Sequence, residues 1–174
     1  MSLKLNTASG GSITLQEANT ASNLTITVPA VTATMAVDGP AFSAYRSSAQ
    51  TISNATFTKV QFNAEDFDTA GCYDNSTNYR FTPTVAGYYQ FNWMIQTTAS
   101  VGTLFLTLLY KNGSPEKRGE AITGGSYSSG GSALLYMNGT TDYAEVYIYQ
   151  ASGSSKDLDT GASTFFQASM TRGA

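Results

Sequence analysis

"YRFTPTVAGYYQFNWMIQ", residues 79–96, carries the strongest alternation in the chain. It passes a proline at 83 and a glycine at 87 and then alternates. Successive side chains of an extended strand point to opposite faces, so Tyr89, Phe91, Trp93 and Ile95 share one side. Tyr88, Gln90, Asn92, Met94 and Gln96 share the other. A side built wholly from large apolar groups has to be covered. The spacing therefore predicts a half-buried strand whose rings form a core and not a binding strip.

The same grammar recurs outward from this strand. Of the 174 residues 41% are hydrophobic and only 12% charged, and tyrosine (11) and phenylalanine (9) are mixed with abundant Thr, Ser, Gly and Asn. That mixture favours strands joined by polar turns. From Ala41 onward eight strand-like runs follow, "AFSAY", "TKVQFN", "YRFTPTV", "GYYQFNWMIQT", "TLFLTLLYKNG", "SALLYMN", "YAEVYIYQA" and "STFFQASM", with no helix-period segment among them. This is the pattern of an all-β sandwich or jelly roll. In "YAEVYIYQ" Ala144, Val146 and Ile148 look inward, leaving Tyr143, Glu145, Tyr147 and Tyr149 outside. "TLFLTLLY" is apolar on both faces, with Leu104, Leu106 and Leu108 on one and Phe105 and Leu109 on the other, as in a strand covered on both sides. A second covered surface requires a partner, and a closed symmetric homo-oligomer is the economical one.

Residues 1–40 read as a separate β segment and linker ahead of a head domain at 41–174. Ile13 and Leu15 form one alternating run and Leu24, Ile26 and Val28 another, with turn formers between and "DGP" at 38–40 as punctuation. This is a β-hairpin or a pair of strands too small for a core of its own, so it needs a surface to dock on.

Several function classes are excluded. The net charge is −3 with no cluster of cations, so a nucleic-acid partner is not expected. No apolar run reaches the roughly 20 residues of a membrane span, and no secretory signal opens the chain. Cys72 is the only cysteine, so no intrachain disulfide forms, and a small buried or loop residue is its expected role. Histidine is absent, which removes the usual general base, the triads built on it and most transition-metal sites, and an enzyme is not expected. "GGSYSSGG", residues 124–131, has the composition of a flexible loop without the ending of a phosphate-binding loop. The close carboxylate pairs, Asp66 with Asp68 and Asp157 with Asp159, are weak candidate calcium ligands, set against the plainer reading of solvated loop pairs. Acid and base work on a glycoside by the same pairs has no third feature behind it. No other cofactor is expected.

In their order, these motifs resemble a known family. "AFSAY", "VQFN", "YDNSTNYRFTPTVAGYYQF", "LYKNG", "YAEVYIYQ" and "STFFQASM" together resemble the globular head of the complement C-one-q protein and its tumour necrosis factor-like relatives, over roughly residues 41–172. The resemblance implies a jelly roll that assembles as a trimer, has no enzymatic activity and binds macromolecules. Residues 10–35, "GGSITLQEANTASNLTITVPAVTATM", resemble the short β segments that precede the receptor-binding or fibre domains of bacteriophage tail-fibre and related virion proteins. The combined expectation is a homotrimeric phage virion protein, made in the host cytoplasm and exposed on the particle. It would attach to other virion proteins through residues 1–40 and engage a host glycan or receptor. A capsid decoration or head fibre is the close alternative; a bacterial lectin or glycan hydrolase is the alternative from another class. Expected trimer-interface residues are Tyr88, Tyr143, Tyr147, Tyr149, Phe105 and Leu109, and expected recognition-loop residues are Tyr73 and Tyr127.

Overall fold

A computed structural model describes residues 2–6, 10, 12–16 and 39–174. The described residues divide between two compact units, within 1–33 and 34–174. In the first, β1 (Ser2–Asn6) pairs antiparallel with β2 (Ser12–Gln16). The run at Ile13 and Leu15 is thus a hairpin arm, and its mate is "SLKLN", whose alternation precedes the run expected to pair with it. The Leu24–Val28 run lies outside the described residues.

The second unit is all strand and turn. Its elements are β3 (Ala41–Arg46), β4 (Thr51–Ile52), β5 (Thr58–Lys59), β6 (Ala64–Asp68), β7 (Tyr73–Asp74), β8 (Arg80–Phe81) and β9 (Gly87–Val101). Then come β10 (Leu104–Lys111), β11 (Ser114–Thr123), β12 (Ser126–Met137), β13 (Ala144–Gln150), β14 (Lys156–Asp157) and β15 (Gly161–Gly173). One sheet runs β12-β9-β15-β3-β6, the other β11-β10-β13-β8-β7 with β5 also on β13, and β4 pairs with β14 at one end. The pairings are antiparallel and mostly between strands distant in sequence, which makes a two-sheet jelly roll.

The core lies between the two sheets. Tyr89, Phe91, Trp93 and Ile95 of β9 point into it as the alternation requires, and Trp93 is 2% exposed. Phe42 is its hub, with ring centroids 4.7 Å from Tyr73, 4.6 Å from Phe81 and 5.0 Å from Phe166. Cys72 is buried beside them, in the role expected for a small apolar residue. The Tyr89 hydroxyl donates to the Val85 carbonyl at 2.7 Å, tying the turn between Pro83 and Gly87 to the start of β9. Burial, with Cys72 nearby, pushes that phenol up to about 12, so it stays a donor through the physiological range.

At the side where the sheets close, Trp93 meets a glycine surface. Its indole N–H donates to Thr107 Oγ1 at 2.8 Å, Thr107 and Ser129 hydroxyls lie 3.2 Å apart, and Ser129 donates to the Glu120 carbonyl at 2.7 Å. A Cβ on Gly131 would come 2.3 Å from the Trp93 ring, and one on Gly119 2.5 Å from the Gly130 carbonyl. The "GGSYSSGG" segment is therefore mostly strand: Gly124 and Gly125 make the turn, and the second glycine pair lets β11 and β12 approach over the indole. Replacing Gly131 with alanine is expected to cost about 1–3 kcal/mol through overpacking. Gly102→Ala, where no heavy atom lies within 4 Å of the added carbon, serves as control. Denaturant unfolding of the two variants checks this; equal midpoints would contradict it.

Candidate interaction site

The register of the five-stranded sheet fixes what it shows to the outside. Rows cross β12, β9, β15 and β3 through Gly130–Met94–Phe165–Tyr45, Ser132–Asn92–Gln167–Ser43 and Leu134–Gln90–Ser169–Ala41. Tyr136 opposite Tyr88 extends the surface. No residue of the three four-strand rows is charged; charges border them, with Arg172 opposite Tyr88 on β15, Lys111 Nζ 5.8 Å from the Tyr136 ring and Asp66 beside Ser43. Tyr88 (41% exposed), Met94 (37%), Leu134 (53%) and Tyr136 (42%) stand on it, with Tyr88 and Tyr136 in edge-to-face contact at 5.5 Å. Charge depletion with protruding aromatic and aliphatic groups is the composition of an interface centre. A pocket of about 420 Å³ opens on the same face, lined by Ser43, Tyr45, Asp66, Gly161, Ala162, Phe165 and Gln167.

The outer face of the other sheet is built differently. Tyr147 stacks on Tyr110 with ring centroids 4.0 Å apart, Phe57 lies 4.9 Å from Tyr149, and the Arg80 guanidinium lies 4.3 Å over Tyr143. Lys59 on β5 pairs with the buried Glu145 and donates to the Asn78 carbonyl at 3.1 Å. Residues of the same chain thus cover much of this tyrosine row.

Four expectations change accordingly. Tyr88 stands on the outer face of the five-stranded sheet, whereas Tyr143, Tyr147 and Tyr149 lie on the opposite side of the sandwich, so these residues do not form one patch. Phe105 and Leu109 are both 0% exposed and belong to the chain's own core. The apolar side left outward on β10 is Leu104, Leu106 and Leu108, each half-buried. Tyr73 is buried against Phe42 with its hydroxyl donating to the Phe62 carbonyl at 3.3 Å, and burial pushes its phenol far up. It is core and not a recognition residue. Tyr127 is 53% exposed, but on β12 and not in a loop. Sequence alone passed over Leu134 and Tyr136, although "SALLYMN" carries the alternation that exposes them.

The acidic pairs serve turns and pairings. Asp66 accepts the Ser43 hydroxyl at 2.8 Å, and Asp68 accepts the backbone N–H of Ala70 at 3.2 Å and of Tyr73 at 2.7 Å. Asp157 accepts the Thr51 hydroxyl at 2.6 Å, and Asp159 accepts the Gln96 amide at 3.0 Å and the Thr160 N–H at 2.9 Å. Among the described residues no three His, Cys, Asp or Glu side chains converge as a metal cluster. The strongest carboxylate constellation lies elsewhere, at the end of the sandwich near the Asn112–Gly113 turn. Asp142 accepts from Asn112 Nδ2 at 2.7 Å, from Lys111 Nζ at 2.9 Å and from the Asn138 N–H at 3.0 Å. Burial opposes its ionisation, yet these three donors outweigh that and hold the carboxyl below its usual range. Asp74 is held lower still by the N–H groups of Thr77, Ser76 and Asn78 and the Asn78 amide.

The two antiparallel sheets, packed face to face, define an all-β jelly roll. Residues 41–166 match the C1q domain family, and the chain belongs to it. Murine APRIL is similar in structure, with 12% identity over 76% of this chain and 99% of that one and a TM-score of 0.58. Eiger TNF from S. frugiperda is 15% identical over 78% of this chain and 93% of that one, with a TM-score of 0.53. The vertex protein P5 of PRD1 is 14% identical over 75% of this chain and 96% of that one, with a TM-score of 0.58. At these identities the likeness is one of fold. No curated protein matches the chain by sequence.

Both depressed carboxylates stabilise the fold above the unfolded carboxyl pKa of about 3.9 and lose that contribution as pH falls through their lower folded values. Stability is expected to drop steeply below about pH 4, with a shallower acid slope in Asp142→Asn and Asp74→Asn. Thermal melts between pH 2 and 6 check this; unchanged slopes would contradict it.

Proposed function

We propose that the chain is a homotrimeric structural protein of a phage virion, with its head domain at 41–174 exposed on the particle for host attachment. One observation carries the trimer: a broad face whose central rows hold no charge and from which aromatic and aliphatic groups protrude, on the β12-β9-β15-β3 sheet. A single chain leaves that face in water, whereas rotational symmetry covers it. A binding role is further supported by the missing histidine and by acidic pairs already occupied with local donors.

The course of the chain gives this head a direction. Gly39 and Pro40 enter beside Met170 and Gly87, and Ala174 bonds to Ala86, so entry and exit share one end of the sandwich. The exposed Tyr127, with Lys156 and Asp157 of β14, lies toward the opposite end, where β12 and β9 pair at Ser126 and Val101. Residues 1–40 serve as the attachment to other virion proteins, and the Tyr127 end faces a host glycan or receptor. Capsid decoration is the second reading, favoured by the likeness to a phage vertex protein.

Removing residues 1–40 is expected to abolish incorporation into particles while the remaining head stays trimeric by light scattering. Retained incorporation would overturn the attachment role. Charging the face, with Asn92→Lys and Met94→Lys together, is expected to leave the fold intact by circular dichroism but reduce the scattering mass to one chain. An unchanged trimer would overturn the assignment of the face.

A further inference from the structure

The pocket of about 420 Å³ between β3, β6 and β15 has walls of two kinds. Tyr45 on β3 and Phe165 on β15 are cross-strand partners, and both point outward because their neighbours Ala44 and Phe166 are buried. Side chains so paired stand close enough to touch. Yet among the described residues neither ring stacks on the other or on a third, so both keep a face for a guest. Polar groups complete the lining. Asp66 Oδ2 accepts the Ser43 hydroxyl at 2.8 Å and leaves the second oxygen open, and neither the Gln167 amide nor the Tyr45 hydroxyl has a hydrogen-bond partner among the described residues. Gly161 and Ala162 form a rim without bulk.

These walls select among ligands. Asp66 is the one charged residue of the lining, and Arg46, next to Tyr45 in the chain, is turned to the carbonyls of Ser48, Ala49 and Gln61. A phosphate or carboxylate finds no counter-charge there. A purely apolar guest would cut the Gln167 amide and Asp66 off from water. A pyranose satisfies both walls: its C–H face lies on an aromatic ring, while its hydroxyls donate to a carboxylate and exchange hydrogen bonds with an amide and a phenol. The volume falls within the roughly 300–1,000 Å³ of small-ligand sites. Its place fits as well. Gly161 pairs with Arg46, and the Asp159 N–H just before it donates to the Gln96 carbonyl at 2.8 Å, so the rim lies toward β14 and away from Pro40 and Ala174. Resting on the reading that this end of the head faces the host, we propose that the Tyr45–Phe165 pocket binds one neutral pyranose residue of a host glycan, stacked on the rings and hydrogen-bonded to Asp66 and Gln167.

Saturation-transfer NMR on the full chain tests this, with the methyl pyranosides of glucose, galactose, mannose and N-acetylglucosamine as neutral probes and protonated methyl glucosaminide as the charged one. Transfer to the ring protons of a neutral probe is expected, with Kd rising roughly tenfold in Tyr45→Ala and by a smaller factor in Gln167→Ala. Circular dichroism checks the fold of both variants, and the partnerless Gln167 amide makes the second the safer one. No transfer to any neutral probe overturns the site, as does transfer that Gln167→Ala leaves unchanged, or binding of the charged probe alone. Binding of the purified chain to intact host cells separates the two levels. A chain that takes up a glycoside at this pocket but binds no cells overturns the host-facing reading and leaves the site standing.

Discussion

One strand, β9, has to satisfy two surfaces at once, and the rest of the molecule is arranged around that demand. Every second residue from Tyr89 to Ile95 is withdrawn from water into the space between the sheets. The residues between them, from Tyr88 to Met94, are directed outward by the same backbone. A one-residue slip would exchange the two sets, placing Trp93 in water and Asn92 in the core, so the buried rings fix the register of the outer face as well. Chemistry on the outside is thereby specified by packing on the inside.

The close passage over Trp93 shows how tightly this is drawn. The indole brings a polar N–H into the core, Thr107 satisfies it, and Ser129 continues the chain of hydrogen bonds to the backbone of β11. Only strands without side chains at Gly119, Gly130 and Gly131 can lie that near. The buried Arg46 plays a comparable part at the end of β3, donating to the carbonyls of Ser48, Ala49 and Gln61 and so pinning the segment that follows. Both hold the strands that display the outer face, and Gly130 belongs to that face directly, beside Met94.

Much of this was legible in the sequence where alternation was unequal. On β9 and β13 one face is far more apolar than the other, and the inward sets were readable directly: Tyr89, Phe91, Trp93, Ile95, and Ala144, Val146, Ile148. On β10 both faces are apolar, so periodicity alone does not say that Phe105 and Leu109 point inward while Leu106 and Leu108 point out; the partner sheet decides it. Tyr73 sits in a polar turn-forming context, and its burial follows from stacking on Phe42, 31 positions away in the chain. The same long-range pairing hid the candidate site, because that face exists only once β12, β9, β15 and β3 lie side by side. The glycines near Tyr127 read as flexibility, whereas Gly124 and Gly125 make a turn and Gly130 and Gly131 are needed for close approach.

Covalent footprinting of the assembled full-length protein, read residue by residue by mass spectrometry, tests whether other copies of the chain cover the outer face of the β12-β9-β15-β3 sheet. Protection is expected at Tyr88, Met94, Leu134 and Tyr136, with free labelling of Phe57 on the opposite side of the sandwich. Heavy labelling of those four residues together with protection of Phe57, Tyr147 and Tyr149 would contradict that arrangement.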